Sequence, residues 1–181
     1  EGIIKGAYLF RKGEEGKTRV QLMGSGTILR EVIAASDLLK KDFGIESDIW
    51  SVPGINQLHR EGIEAERWNM THPGEKKKVP YLTKVLKGYS GPFVISTDYV
   101  KAYQEQIRRF IPGQPTVLGT DGYGRSDSRE NLRRFFEVDR YYIVVASLAA
   151  LLEDGKVKAE VVQKAIKKYK IDPEKLNPAV S

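Results

Sequence analysis

Three stretches of the chain hold residue types that could do chemistry. The densest is LGTDGYGRSDSRENLRRFFEVD, residues 118–139, which sets glycines, serines, aspartates and arginines around a helix start. Such a mixture suits a reactive loop, a phosphate cradle, or a polar joint to something larger. Asp127 and Glu130 have the spacing of a capping box, with Ser126 and Ser128 as competing caps. The second stretch is Gly24-Ser25-Gly26, between an apolar strand and a helical pattern, where backbone amides and a helix dipole can hold an anion. A dinucleotide fingerprint needs a third glycine three residues on, and position 29 is Leu. No Lys-Ser or Lys-Thr pair follows either, so a turn packing strand on helix is the favoured reading. The third is the pair His59 and His72, whose spacing fits no common zinc pattern. A Gly-x-Ser-x-Gly elbow is also missing, because position 23 is Met. Gly24, Ser25, Gly26, Arg125, Asp127 and Arg129 are the candidate anion or interface residues of these stretches.

The elements that must position these residues follow from periodicity. Residues 19–23 read as a strand, and Ile28, Leu29, Val32, Ile33, Leu39 and Phe43 then recur near the 3.6-residue helical period. Gly44 stands where a helix end takes the left-handed conformation. Residues 48–52 form a second strand before Pro53-Gly54, which completes a β-α-β unit with parallel strands and a right-handed crossover. The proline-rich stretch 53–91 holds short helical pieces around 55–62 and 79–87. Residues 92–96 are a strand, after which Asp98 caps a helix with Val100, Tyr103, Ile107 and Phe110 on its apolar face. Residues 115–119 are a further strand that delivers the chain into the loop. Leu132, Phe135 and Phe136 form the buried side of a short helix. Asp139 caps the next element, where Tyr142-Ile143-Val144-Val145 alone suits strand as well as helix and the continuation to Leu152 favours helix. Val157, Val161, Val162, Ala165, Ile166 and Tyr169 mark a last amphipathic helix. The pattern predicts a single α/β domain over 1–181, its mainly parallel sheet covered on both faces.

Composition excludes several classes. Hydrophobic residues make up 40% and charged residues 30% of the 181, an ordinary globular balance. The absence of cysteine excludes disulfides, thiolate metal sites and cysteine nucleophiles, and fits a reducing, cytoplasmic compartment. The net charge of +6 comes from bases interleaved with acids, and the basic runs at 75–78 and 156–170 read as solvated faces rather than a nucleic-acid site. No apolar run approaches the roughly 20 residues of a membrane span. A first residue of Glu rather than Met reads as a fragment or processed product.

Taken together, the motifs resemble the C-terminal domain of the transketolase-like thiamine enzymes, and within them the homodimeric bacterial pyruvate dehydrogenase class. Residues 20–30 (VQLMGSGTILR) resemble the family's first strand and helix start. Glu66-Arg67-Trp68-Asn69-Met70-Thr71-His72-Pro73 resembles a signature of the homodimeric class, and residues 96–99 and 118–132 are similar to it almost residue for residue. Asn177-Pro178 resembles the family's natural end. The resemblance implies a three-layer α/β/α domain with a mainly parallel five-stranded sheet that has room for one antiparallel strand, and it implies helix at 141–152. It further implies a homodimeric enzyme that decarboxylates pyruvate with thiamine diphosphate and magnesium and passes the acetyl unit to a lipoyl group on a dihydrolipoyl acetyltransferase component. Thr120-Asp121-Gly122 lacks the first glycine of the thiamine enzymes' Gly-Asp-Gly motif, and Asn131 follows too soon to complete it. The cofactor and catalytic residues would then lie in domains upstream, leaving this one a structural, dimer-supporting role and no activity alone. The alternatives are another transketolase-like 2-oxo acid dehydrogenase, or an independent anion-binding or interaction module.

Overall fold

The computed structural model describes residues 1–181. Its centre is a five-stranded sheet in the order β1-β3-β2-β4-β5, built from β1 (Tyr8–Arg11), β2 (Arg19–Gly24), β3 (Glu46–Ser51), β4 (Phe93–Ser96) and β5 (Thr116–Leu118). Strands β2 to β5 run parallel, while β1 is antiparallel to β3 with Tyr8 opposite Ser51. This is the mainly parallel, five-stranded, three-layer arrangement expected from the resemblance. Periodicity alone marks four of the strands; β1, a four-residue edge strand, gives no such signal.

Parallel neighbours need crossovers, and helices supply them. After α1 (Gly2–Lys5), α2 (Leu29–Phe43) joins β2 to β3, α3 (Ile55–Thr71) and α4 (Tyr81–Val85) join β3 to β4, and α5 (Lys101–Glu105) lies between β4 and β5. Helices α6 (Arg129–Phe135), α7 (Arg140–Glu153) and α8 (Ala159–Lys168) follow. Strand side chains alternate between two cores. Val20, Leu22, Ile49 and Val94 pack with Val32, Leu39, Ile143 and Leu148 on one face. Met23, Trp50, Phe93 and Ile95 pack with Leu58, Leu82 and Ile107 on the other. Each such buried aliphatic side chain stabilises the fold by about 1.5–3 kcal/mol relative to exposure. Gln21 is buried too, and its amide is satisfied within the sheet: Nε2 donates to Asp48 Oδ2 at 2.7 Å and Oε1 accepts from Trp50 Nε1 at 2.9 Å.

Local signals hold at several joints. Gly44 ends α2 at φ 67°, in the left-handed region. Asp139 caps α7 by accepting from the amides of Tyr141 and Tyr142, and the segment that suited strand or helix is helical. Other expectations are corrected. Instead of a short piece over 55–62, α3 runs 17 residues, because Pro53 and Pro73 flank it rather than interrupt it. Asp98 does not cap the helix after β4; its carboxylate accepts from Thr27 Oγ1 at 3.0 Å. The Lys101 amide is instead satisfied by Asp121 Oδ1 at 2.8 Å, from twenty residues downstream. Val100 leaves the expected apolar face and is 49% exposed. No helix is long and apolar enough to cross a membrane.

Candidate functional site at the carboxyl edge of the sheet

Strands β3 and β4 lie on opposite sides of β2, so the chain leaving β2 crosses one face and the chain leaving β3 returns over the other. Open α/β sheets form a crevice where the connections diverge, beyond the carboxyl ends of the strands. Here it is bordered by the turn after β2 and the segments after β4 and β5. A Cβ on Gly24 would sit 2.9 Å from Leu29 Cα and 3.0 Å from Val32 Cγ2, so glycine is what lets strand and helix approach. Ser25 is buried, and its hydroxyl donates to Thr97 Oγ1 at 2.8 Å while accepting from Gln104 Nε2 at 3.2 Å. Gly26 is exposed at φ 53°, and a Cβ there would stand 3.1 Å from Asp98 Oδ1.

Beyond this turn lies a cleft of about 620 Å³ lined by Arg125, Asp127 and Arg129, together with Thr27, Asp98 and Thr120. The structure thus gathers the three charged candidates on one surface. Gly24, Ser25 and Gly26 do not line it, although Thr27 and Asp98 beside them do. Arg125 stacks over Phe135, 4.4 Å from the ring centroid. Ion pairs in this region belong to Arg133, Arg134 and Arg140, not to Arg125 or Arg129. Asp127 Oδ1 accepts from Asn131 Nδ2 at 2.8 Å and from the Ser128 amide at 2.6 Å, and these bonds hold its carboxyl below the ordinary range. Of the competing caps it is Ser128 that closes α6, accepting from the Asn131 amide at 3.2 Å. Glu130 does not complete the box.

Sequence spacing missed the group that ties the two borders together. Glu31, on α2 and 4% exposed, accepts from Arg133 NH1 at 2.9 Å and from Arg140 Nε at 2.9 Å. Arg133 also donates to Thr27 Oγ1 at 3.2 Å. Burial pushes the Glu31 carboxyl up, but the hydrogen bonds and charge of Arg140, with Arg133 beside it, outweigh that and hold it low. The partners lie over one hundred residues apart, so no local pattern announces them; the available signal was position, just beyond the strand ends.

A diphosphate–magnesium group does not fit the side chains present. No three His, Cys, Asp or Glu side chains gather as a metal site. Asp121 is engaged with the Lys101 amide, and Gly122, at φ 105°, is held against the carbonyl of Pro178. His72 stacks on Trp68 with ring centroids 3.5 Å apart, and His59 is half-buried on α3.

A mainly parallel sheet with helices on both faces and a cleft at its carboxyl edge defines a doubly wound α/β fold. Residues 6–139 match the family model described as "Transketolase-like TK C-terminal domain", and the chain belongs to that family. It is 56% identical over 180 residues to the "Pyruvate dehydrogenase E1 component" of Cupriavidus necator, covering 98% of this chain and 20% of that protein. It is 50% identical over 182 residues to the protein of the same name from Escherichia coli, covering 100% of this chain and 20% of that one. The chain thus spans about one-fifth of the length of these curated relatives. Among solved structures, "Transketolase from Leishmania mexicana" superposes with a TM-score of 0.54 at 16% identity, over 84% of this chain and 19% of that one, which shows a shared fold.

Proposed function

We propose that residues 1–181 are the single C-terminal domain of a thiamine diphosphate-dependent pyruvate dehydrogenase. The whole enzyme is a cytoplasmic homodimer that decarboxylates pyruvate and hands the acetyl unit to a lipoyl group on its dihydrolipoyl acetyltransferase component. The observation that carries this reading is identity of 50–56% along the length of the chain to proteins named Pyruvate dehydrogenase E1 component. Thiamine diphosphate and magnesium belong to the preceding domains, and this domain extends and braces the assembly. Arg125, Asp127 and Arg129 serve as polar contacts across a domain or subunit boundary, with Gly24, Ser25 and Gly26 shaping the turn behind them.

The test uses the full-length protein with thiamine diphosphate, magnesium and a lipoyl acceptor, following carbon dioxide released from pyruvate. Turnover requires all three additions; turnover of a ketose phosphate in place of pyruvate overturns the reading. In the same protein Arg125→Ala and Arg129→Ala weaken the dimer in sedimentation before they slow turnover. An intact dimer with lost turnover counts against a supporting role. A second reading, a small-anion site, is favoured by the lack of carboxylate partners for Arg125 and Arg129. Calorimetry with inorganic phosphate on the full-length protein tests it, the heat disappearing in the double variant.

A further inference from the structure

We infer that the carboxyl edge of the sheet is the face on which the preceding part of the same polypeptide packs. The inference rests on the reading above, in which the chain continues before Glu1. Eight large apolar side chains are at least 49% exposed, and of these only Met70, near the far end of α3, stands away from this edge; Phe10, within strand β1, is 48% exposed. Tyr99 (59%) and Val100 follow β4, and Tyr123 (84%) follows β5. Leu176 and Val180 lie on the tail whose Pro178 carbonyl meets Gly122. The remaining two are Ile3 and Ile4 on α1. Because β1 runs antiparallel to β3, α1 stands beside the carboxyl end of β3, where Gly6 packs against Gly54.

Single exposed apolar side chains are ordinary on a protein surface, whereas a gathering on one edge, rimmed by polar groups, marks a contact face. Here the rim is supplied by Asp98, Arg125, Asp127 and Arg129. Two tyrosines among the apolar members fit an interface, since tyrosine offers a wide contact face and a polar tip. Geometry names the occupant. Glu1 lies on this edge, so a segment joined to it is delivered beside the patch, and its effective concentration there is high without any long linker. The pyruvate dehydrogenase relatives supply such a segment, since the matched region is 20% of their length.

Hydroxyl-radical footprinting of the full-length protein, read by mass spectrometry, tests the assignment. Tyr99 and Tyr123 lose most of the labelling they show in the urea-unfolded protein, while Met70 keeps its own. In that protein Tyr123→Asp speeds limited proteolysis just before Glu1 about tenfold, the effect of losing about 1.4 kcal/mol at a buried interface tyrosine. Tyr123→Phe and Met70→Asp leave that rate unchanged. Free labelling of Tyr99 and Tyr123 in a chain of the relatives' length overturns this inference alone. Protection that vanishes when the dimer is diluted to monomers gives the face to a second copy and overturns it as well. A native polypeptide with a mass near 20.4 kDa overturns both the inference and the reading beneath it.

Discussion

The turn at 24–26 and the loop at 119–128 are both rich in glycine and both leave a strand at the same edge, yet their polar groups have opposite fates. In the turn, Gly24 is consumed by packing and the Ser25 hydroxyl by Thr97 and Gln104, all of them buried. In the loop, Asp121 and Gly122 are tied down by Lys101 and Pro178, but Gly124 has nothing within 4 Å and Tyr123, Arg125 and Arg129 face outward. Glycine therefore signals close approach throughout the turn, at Gly24 and Gly26, whereas the loop passes from close approach at Gly119 and Gly122 to open space at Gly124. Only the second segment retains charge free to meet another surface.

The sharpest way to break this pairing is to cut the bridge between its borders. Glu31→Ala leaves Arg133 and Arg140 without their carboxylate and costs about 3 kcal/mol in urea unfolding at neutral pH. The Glu31 carboxyl is held below its ordinary range, so its contribution is complete above the unfolded value of about 4.3 and is lost as pH falls through the lower native value. The gap between wild type and Glu31→Gln accordingly narrows on acidification; a gap that widens would contradict the pairing. Next in size is the contrast of two glycines. Gly24→Ala drives a methyl against Leu29 and Val32 and costs about 2 kcal/mol, whereas Gly124→Ala, in open space, stays within about 0.5 kcal/mol. Equal melting shifts for the two would erase the distinction between turn and loop. The smallest effect is at the helix start, where Ser128→Ala removes the bond to the Asn131 amide and costs about 1 kcal/mol by thermal melting.

These residues also show what the sequence could reveal. The existence of strands β2 to β5, the end of α2 at Gly44 and the cap at Asp139 rest on neighbours within a few positions, and local pattern finds them. The cap on α5 comes from Asp121, and the partners of Glu31 come from α6 and α7, so spacing around Asp98 or Glu31 carries no trace of either. Strand β1 was illegible because four residues at an edge, paired on one side only, need neither alternation nor a long apolar run. Arg125, Asp127 and Arg129 were legible as a charged group, while the cleft they share with Thr27 and Asp98 exists only once three strand ends meet.

The brevity of the outer strands has a consequence for assembly. The sheet is bounded by β1, four residues long and ending in Arg11, and by β5, only three residues long. An edge that short exposes few unpaired backbone groups, and a terminal charge discourages another strand from adding to it. Sheet continuation between two molecules is thereby disfavoured at both margins. Subunits that join through this part of the chain must do so with loops and helix surfaces, which guards a crowded nascent polypeptide against ribbon-like aggregation.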